Sequence, residues 1–158
     1  MKRTAIYPGT FDPITLGHVD VVNRGLKLFD RVVIGVAENP QKEPMFDLET
    51  RLKMVRETFA DQPHVEAVSF TGLLVDLAHA QKGEAILRGL RAASDFEYEF
   101  QMATMNRRLD EKIETCFVMA REDYTFVSSR FIREISAMGG DVSELVPPAV
   151  TPYLARSS

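Results

Sequence analysis

Residues 7 to 18 read YPGTFDPITLGH, a connection that gathers structure-breaking residues, an acid, hydroxyls and a histidine between two apolar stretches. Gly9 lets backbone come close to a ligand, and Pro13 keeps the chain from entering a helix too early. Gly17 and His18 then begin the next helix. An exposed helix start presents unpaired N–H groups and a partial positive charge, which together suit a phosphate. Thr10 adds a hydroxyl donor and His18 an imidazole. The same stretch also serves as the Gly- and Pro-rich connection that any α/β protein needs, and types and spacing alone leave both readings open. It matches neither the G-x-x-x-x-G-K-[ST] loop nor the G-x-G-x-x-G fingerprint.

Other groups able to hold an anion are scattered along the chain. Lys42 lies between Pro40 and Pro44 in PQKEPMF, where a lysine is ordinarily solvated. Arg88 and Arg91 bracket Gly89 and Leu90 in RGLR, at the end of an apolar run. A guanidinium placed there suits phosphate recognition, although both arginines could simply be exposed. Glu99, in DFEYEF, reads on pattern as a solvated helix residue, Phe96 and Phe100 beside it as core, and Tyr98 as core, subunit contact or ligand contact. Ser128 and Ser129 open SSRFIREI as a serine-capped helix. Leu74 is a core leucine by pattern, and His64 and His79 read as structural.

No convincing Ser-His-Asp or Cys-His arrangement is evident. No Cys/His/Asp cluster has metal-ligand spacing, and no protein-caged metal is expected. The single cysteine, Cys116, reads as a buried small hydrophobe that can form no internal disulfide, which fits a reducing compartment. With 19 basic and 23 acidic residues the net charge is −4, so the surface as a whole does not attract nucleic acid or anionic lipid. Any anion must therefore be held by local basic groups. No apolar run is long enough to cross a bilayer and no signal-peptide core follows Lys2-Arg3, so a cytoplasmic protein is expected.

The elements that must position these groups alternate. Short apolar runs at 3–8, 31–37, 65–70, 84–89 and 114–120 read as buried strands. Helical periodicity separates them, with Val19, Val22, Leu26 and Phe29 on one face and Leu48, Leu52, Val55 and Phe59 on another, behind a cap at Asp47. A third helix opens at Ser94, three residues before Glu97, and a fourth at the paired serines. This predicts one α/β domain over 1–158, a doubly wound, Rossmann-like parallel sheet of five strands in the order 3-2-1-4-5, with a C-terminal helical segment. Only the tail, 155–158, is expected to be disordered. In that winding the segments after strands one and four, GTFDPITLGH and RGLR, face each other across one cleft.

GTFDP followed by TLGH resembles the signature of the nucleotidyltransferase superfamily that carries an HxGH-type element. Thr15 stands where many relatives have the first histidine, a departure typical of the phosphopantetheine adenylyltransferases. PQKEPMF, RGLRAASDFEYEF and YTFVSSRFIREI resemble further blocks of the bacterial members of that family, in the same order, from about residue 3 to residue 150. The resemblance implies transfer of the adenylyl group of ATP to 4′-phosphopantetheine, giving dephospho-coenzyme A and pyrophosphate in coenzyme A biosynthesis. It also implies a direct, in-line attack with electrostatic stabilisation and no covalent intermediate.

It further implies that Thr10, His18, Lys42 and Arg91 serve catalysis, and that Thr10, Lys42, Leu74 and Arg88 hold the acceptor. The ATP site is implied at Gly9, Thr10, Phe11 and His18, at Gly89, Leu90, Arg91 and Glu99, and at Tyr124, Thr125, Phe126 and Val127. Ser128 and Ser129 would hold the β- and γ-phosphates, with Arg130 where some relatives have a third hydroxyl. Mg²⁺ carried by the ATP phosphates, a homohexameric assembly and feedback by coenzyme A are implied in the same way. The alternatives are a related nucleotidyltransferase acting on nicotinate mononucleotide, or on glycerol phosphate with CTP, and a nucleotide-binding protein without catalysis.

Overall fold

A computed structural model describes residues 2–39, 43–91 and 94–154. Lys42, the side chain of Ser94 and the tail 155–158 lie outside the described residues. The strands are β1 (Thr4–Gly9), β2 (Arg31–Ala37), β3 (Val65–Phe70), β4 (Ala85–Leu90) and β5 (Glu114–Met119). All pairings are parallel and the order is β3-β2-β1-β4-β5, as the alternation of elements predicts. The register sets Thr4 beside Arg31 in β2 and Ala5 beside Ala85 in β4. The winding therefore reverses between β1 and β4, and a crevice opens beyond their carboxyl ends.

The helices are α1 (Leu16–Leu28), α2 (Leu48–Thr58), α3 (Leu74–Ala80), α4 (Ser94–Leu109), α5 (Ser129–Ala137) and a short α6 (Thr151–Leu154). Strand alternation divides the buried residues into two layers. Ile6, Val33 and Ile86 pack with Leu77 and Ala78 of α3 on one face. Ala5, Tyr7, Val32, Ile34 and Leu87 join Val21, Val22, Met54, Val55 and Ile132 on the other. Both faces are covered, which is why the central strands read as continuous apolar runs. Helix α1 lies so close to β4 that a Cβ on Gly25 would come within 2.5 Å of Leu87, and one on Gly89 within 2.4 Å of Val21. That approach brings the start of α1 next to the RGLR segment.

Two expectations are corrected here. Phe96 and Phe100 are 50% and 59% exposed, so they are not core. Among the described residues of α4 the buried positions are Glu99 and Asn106, seven residues apart, and Glu99 reaches β4; the two aromatics project beside that buried line and pack on each other at 6.0 Å. Cys116 is only partly buried. Asp47 caps α2 as expected, accepting the Thr50 N–H at 2.8 Å. Among the described residues no helix is long and apolar enough to cross a membrane.

Candidate active site

The segment leaving β1 is held by its own backbone requirements. Phe11 adopts a left-handed φ of 51° and its ring is buried, 5.4 Å from the Tyr7 ring and 4.8 Å from that of His18. Phe11 lines the crevice from this buried position. Thr15 caps α1 with its hydroxyl on the His18 N–H, while Nδ1 of His18 accepts the Thr15 N–H at 2.9 Å. This is a capping box with histidine in the position usually held by Glu or Gln. Because Nδ1 accepts, the proton of the neutral ring sits on Nε2. Burial, with Arg91 and then Arg88 adding to it, pushes the pKa of His18 down to about 3. His18 is thus a neutral N–H donor at the wall of the crevice.

Arg88 leaves the end of β4 toward the same crevice. Its Nε and Nη2 meet the two carboxylate oxygens of Glu99 at 2.8 and 2.5 Å, and Nη1 donates to the Pro8 carbonyl at 2.7 Å. Burial opposes its charge, yet the Glu99 carboxylate holds the guanidinium above its ordinary pKa. Desolvation raises the pKa of the Tyr7 phenol beneath it, so that group stays protonated. Arg91 donates Nη1 to the Val127 carbonyl at 3.0 Å, tying the exit of β4 to the loop before α5.

That loop contains a 3₁₀ turn, Glu122–Tyr124, and ends at Ser128, whose hydroxyl caps α5 on the Phe131 N–H at 3.1 Å. The Ser129 hydroxyl donates to the Pro13 carbonyl at 2.7 Å. Phe126 is 81% exposed, whereas Val127 is buried. Arg130 points outward and pairs with Glu134 at 3.0 Å.

Two cavities meet at this point. One, about 360 Å³, brings together Thr10, His18, Gly89, Arg91, Ser128 and Ser129. The other, about 600 Å³, is walled chiefly by apolar groups, among them Phe70, Leu73, Leu74, Ile86, Met102 and Met105. Both are lined by Pro8, Gly9, Thr10, Arg88 and Glu99. Tyr98, 62% exposed, is not a core residue and lines the apolar cavity. Leu90, Tyr124, Thr125 and Phe126 are not among the lining residues of either cavity.

Several residues that hold the site have no signature in the sequence. Arg51 of α2 is 1% exposed and donates to the carbonyls of Thr10, Ala37, Glu38 and Phe46 at 2.7–3.1 Å. Asp12, 3% exposed, accepts the N–H groups of Met45 and Phe46, and its carbonyl takes a bond from Arg133 of α5 at 2.7 Å. The Asn39 amide donates to the Thr10 hydroxyl at 3.2 Å. A helix arginine such as Arg51 reads as a solvated charge, and nothing in its spacing distinguishes it. Thr15, by contrast, was findable from its place three residues before His18.

Of the carboxylates lining the crevice, Asp12 is engaged by N–H donors and Glu99 by Arg88. Among the described residues no group of three or more His, Cys, Asp or Glu side chains could hold a metal ion.

Comparison with known proteins places the chain among relatives. The cytidylyltransferase-like family model matches residues 6–135. A phosphopantetheine adenylyltransferase of Anaeromyxobacter dehalogenans is 54% identical over 99% of this chain and 95% of its own length. One of Methylococcus capsulatus is 56% identical over 99% and 96%, and one of Thiobacillus denitrificans 55% over 97% and 96%. A Vibrio parahaemolyticus structure described as a nicotinate-nucleotide adenylyltransferase superposes with a TM-score of 0.72, covering 98% of this chain and 93% of that one. At 23% identity that likeness speaks for the fold alone.

Proposed function

The chain belongs to the cytidylyltransferase-like family, among its phosphopantetheine adenylyltransferases, and we propose that it transfers the adenylyl group of ATP to 4′-phosphopantetheine, giving dephospho-coenzyme A and pyrophosphate. The observation that carries this reading in the structure is the junction of the two cavities at Thr10 and Arg88. The polar cavity suits a triphosphate. The apolar one suits a long, uncharged arm ending in a phosphate at the junction.

In this mechanism a phosphate oxygen of the acceptor attacks the α-phosphorus of ATP in line. One P–O bond forms, the bond to the bridging α–β oxygen breaks, and pyrophosphate leaves with that electron pair. Two anions must be held together while charge spreads over the non-bridging oxygens. His18 offers its Nε2–H and Thr10 its hydroxyl to that charge. A neutral donor held in place by its own capping bonds stabilises it without reorganising during reaction.

Arg88 binds the acceptor phosphate with the N–H groups that Glu99 and Pro8 leave over, and Glu99 serves the site through Arg88. Arg91 and the start of α5 take the β- and γ-phosphates. The Ser129 hydroxyl is committed to Pro13, so its contribution is the backbone N–H, while Ser128 keeps its hydroxyl proton. Gly9, Phe11 and Gly89 line the polar cavity, and Leu90 and residues 124–127 are assigned to ATP by resemblance to the family, although of these only Val127 lines that cavity. Leu74 contacts the pantetheine arm, and Lys42 is assigned to the acceptor phosphate by resemblance to the family. Arg130, turned to Glu134, is left at the rim.

Mg²⁺ bound by the triphosphate would screen charge on the phosphates. We read the protein as cytoplasmic, and its assembly as a homo-oligomer, a hexamer by family resemblance. Exposed Phe96 and Phe100, packed on each other on α4, supply an apolar patch for that contact. Coenzyme A, which shares the pantetheine arm, is expected to compete at the apolar cavity.

An acceptor screen tests the reading. Pyrophosphate release is followed with ATP and 4′-phosphopantetheine, with ATP and nicotinate mononucleotide, and with CTP and glycerol phosphate. Turnover is expected with the first pair alone; turnover with another pair and none with the first would reject the assignment.

A further inference from the structure

The carbonyl and the hydroxyl of Thr10 are both held by side chains from beyond β2. Its carbonyl accepts Nη1 of Arg51 at 2.8 Å, and its hydroxyl oxygen accepts Nδ2 of Asn39 at 3.2 Å. Asn39 lies just past the end of β2 and lines the apolar cavity. It holds a left-handed φ of 44°, a conformation that Asn tolerates better than most residues. A hydroxyl has one proton and two lone pairs, and its proton turns to suit its partners. With an amide N–H occupying one lone pair, that proton cannot be directed at Asn39 and is left for the crevice. The donor used on the reacting phosphate is thus oriented from the loop that borders the acceptor.

We propose that Asn39 is a positioning residue that directs the Thr10 hydroxyl proton toward the transferring phosphate. This rests on the adenylyl-transfer reading. The contact of the Asn39 amide is with Thr10, and its effect is routed through that hydroxyl. That separates it from a residue that only shapes the cavity.

Two substitutions keep the left-handed backbone accessible. Asn39→Gly removes the donor. Asn39→Asp keeps the shape but turns the donor into an acceptor, which draws the Thr10 proton toward itself and away from the phosphate. Each is made alone and together with Thr10→Val, and kcat, the KM for acceptor and the calorimetric Kd for ATP are measured on the purified full chain.

The expected result is a loss in kcat on the order of 10²–10³ for N39D, the range found when a transition-state donor is removed, and about tenfold for N39G. The Kd for ATP should stay within about threefold of wild type, since Asn39 lines the acceptor cavity and not the polar one. In the T10V background N39D should cost no further turnover, because the group through which it acts is gone. Wild-type kcat in N39D, or losses from N39D and T10V that multiply, would overturn the inference; multiplying losses would point to direct repulsion of the acceptor anion. If N39D does not fold, the same cycle with N39G decides, and multiplying losses there overturn it equally. Absence of acceptor-dependent release by the wild-type chain would remove the functional reading and this inference together, whereas wild-type release with an indifferent N39D removes only the inference.

Discussion

His18 should remain uncharged, with its proton on Nε2, throughout the pH range in which an ordinary histidine titrates. The cause is geometric: Nδ1 is occupied by the Thr15 N–H, and the ring lies in the crevice with Arg91 and Arg88. With its pKa near 3, about 1% of His18 carries a second proton at pH 5, against about 97% for an unperturbed imidazole. Long-range ¹H–¹⁵N spectra of the ligand-free protein distinguish the neutral Nε2–H pattern from imidazolium, and the signal is assigned by its loss in His18→Asn. The pattern should not change between pH 8 and pH 5. A titration midpoint above about 5, or an Nδ1–H tautomer, would refute the reasoning. The folded pKa lies below the unfolded one, so the unfolded state takes up the proton first as pH falls. Stability is therefore full above about 6.5 and declines by about 1.4 kcal/mol per pH unit below it, toward pH 3. His18→Asn should flatten that part of the pH dependence of Tm.

Further consequences are equally direct. Glu99→Ala leaves Arg88 without its carboxylate in a largely buried place and should cost about 3 kcal/mol in urea unfolding, with a raised KM for acceptor; a cost under about 1 kcal/mol would contradict the role given to the pair. Arg51→Met, which strands four carbonyls, should destabilise by a similar amount, about 3 kcal/mol, and thermal denaturation with Arg51→Lys as an intermediate case checks it. Chelation with EDTA should stop turnover and added Mg²⁺ restore it, while full activity under chelation would reject the metal's assigned place. Phe100→Glu should lower the sedimenting mass if α4 forms the subunit contact, and an unchanged mass would dismiss that face.

The fold was legible because burial on both faces makes each strand a short, continuous apolar run, and because turns and caps such as Asp47 and Ser128 punctuate the helices. The crevice followed from topology, since a parallel sheet with this winding must bring the ends of β1 and β4 together. Helix α4 misled because its aromatics share a helical spacing with core residues, whereas its buried side carries Glu99 and Asn106. An acid facing a sheet is recognisable only when its partner is seen, and Arg88 stands eleven residues earlier on another element. Arg51, Asp12 and Asn39 were silent for the same reason. Each acts on backbone or hydroxyl groups brought close by folding, at separations of 29 to 41 residues for the contacts of Asn39 and Arg51 with Thr10 and of Asp12 with Met45 and Phe46.

The most direct test is pyrophosphate release from ATP and Mg²⁺, with and without 4′-phosphopantetheine, by the wild-type chain and His18→Ala in parallel. The account predicts release that depends on the acceptor and falls at least on the order of 10²-fold in the variant while folding is preserved. No release with this acceptor, or wild-type turnover in a folded His18→Ala, would contradict it.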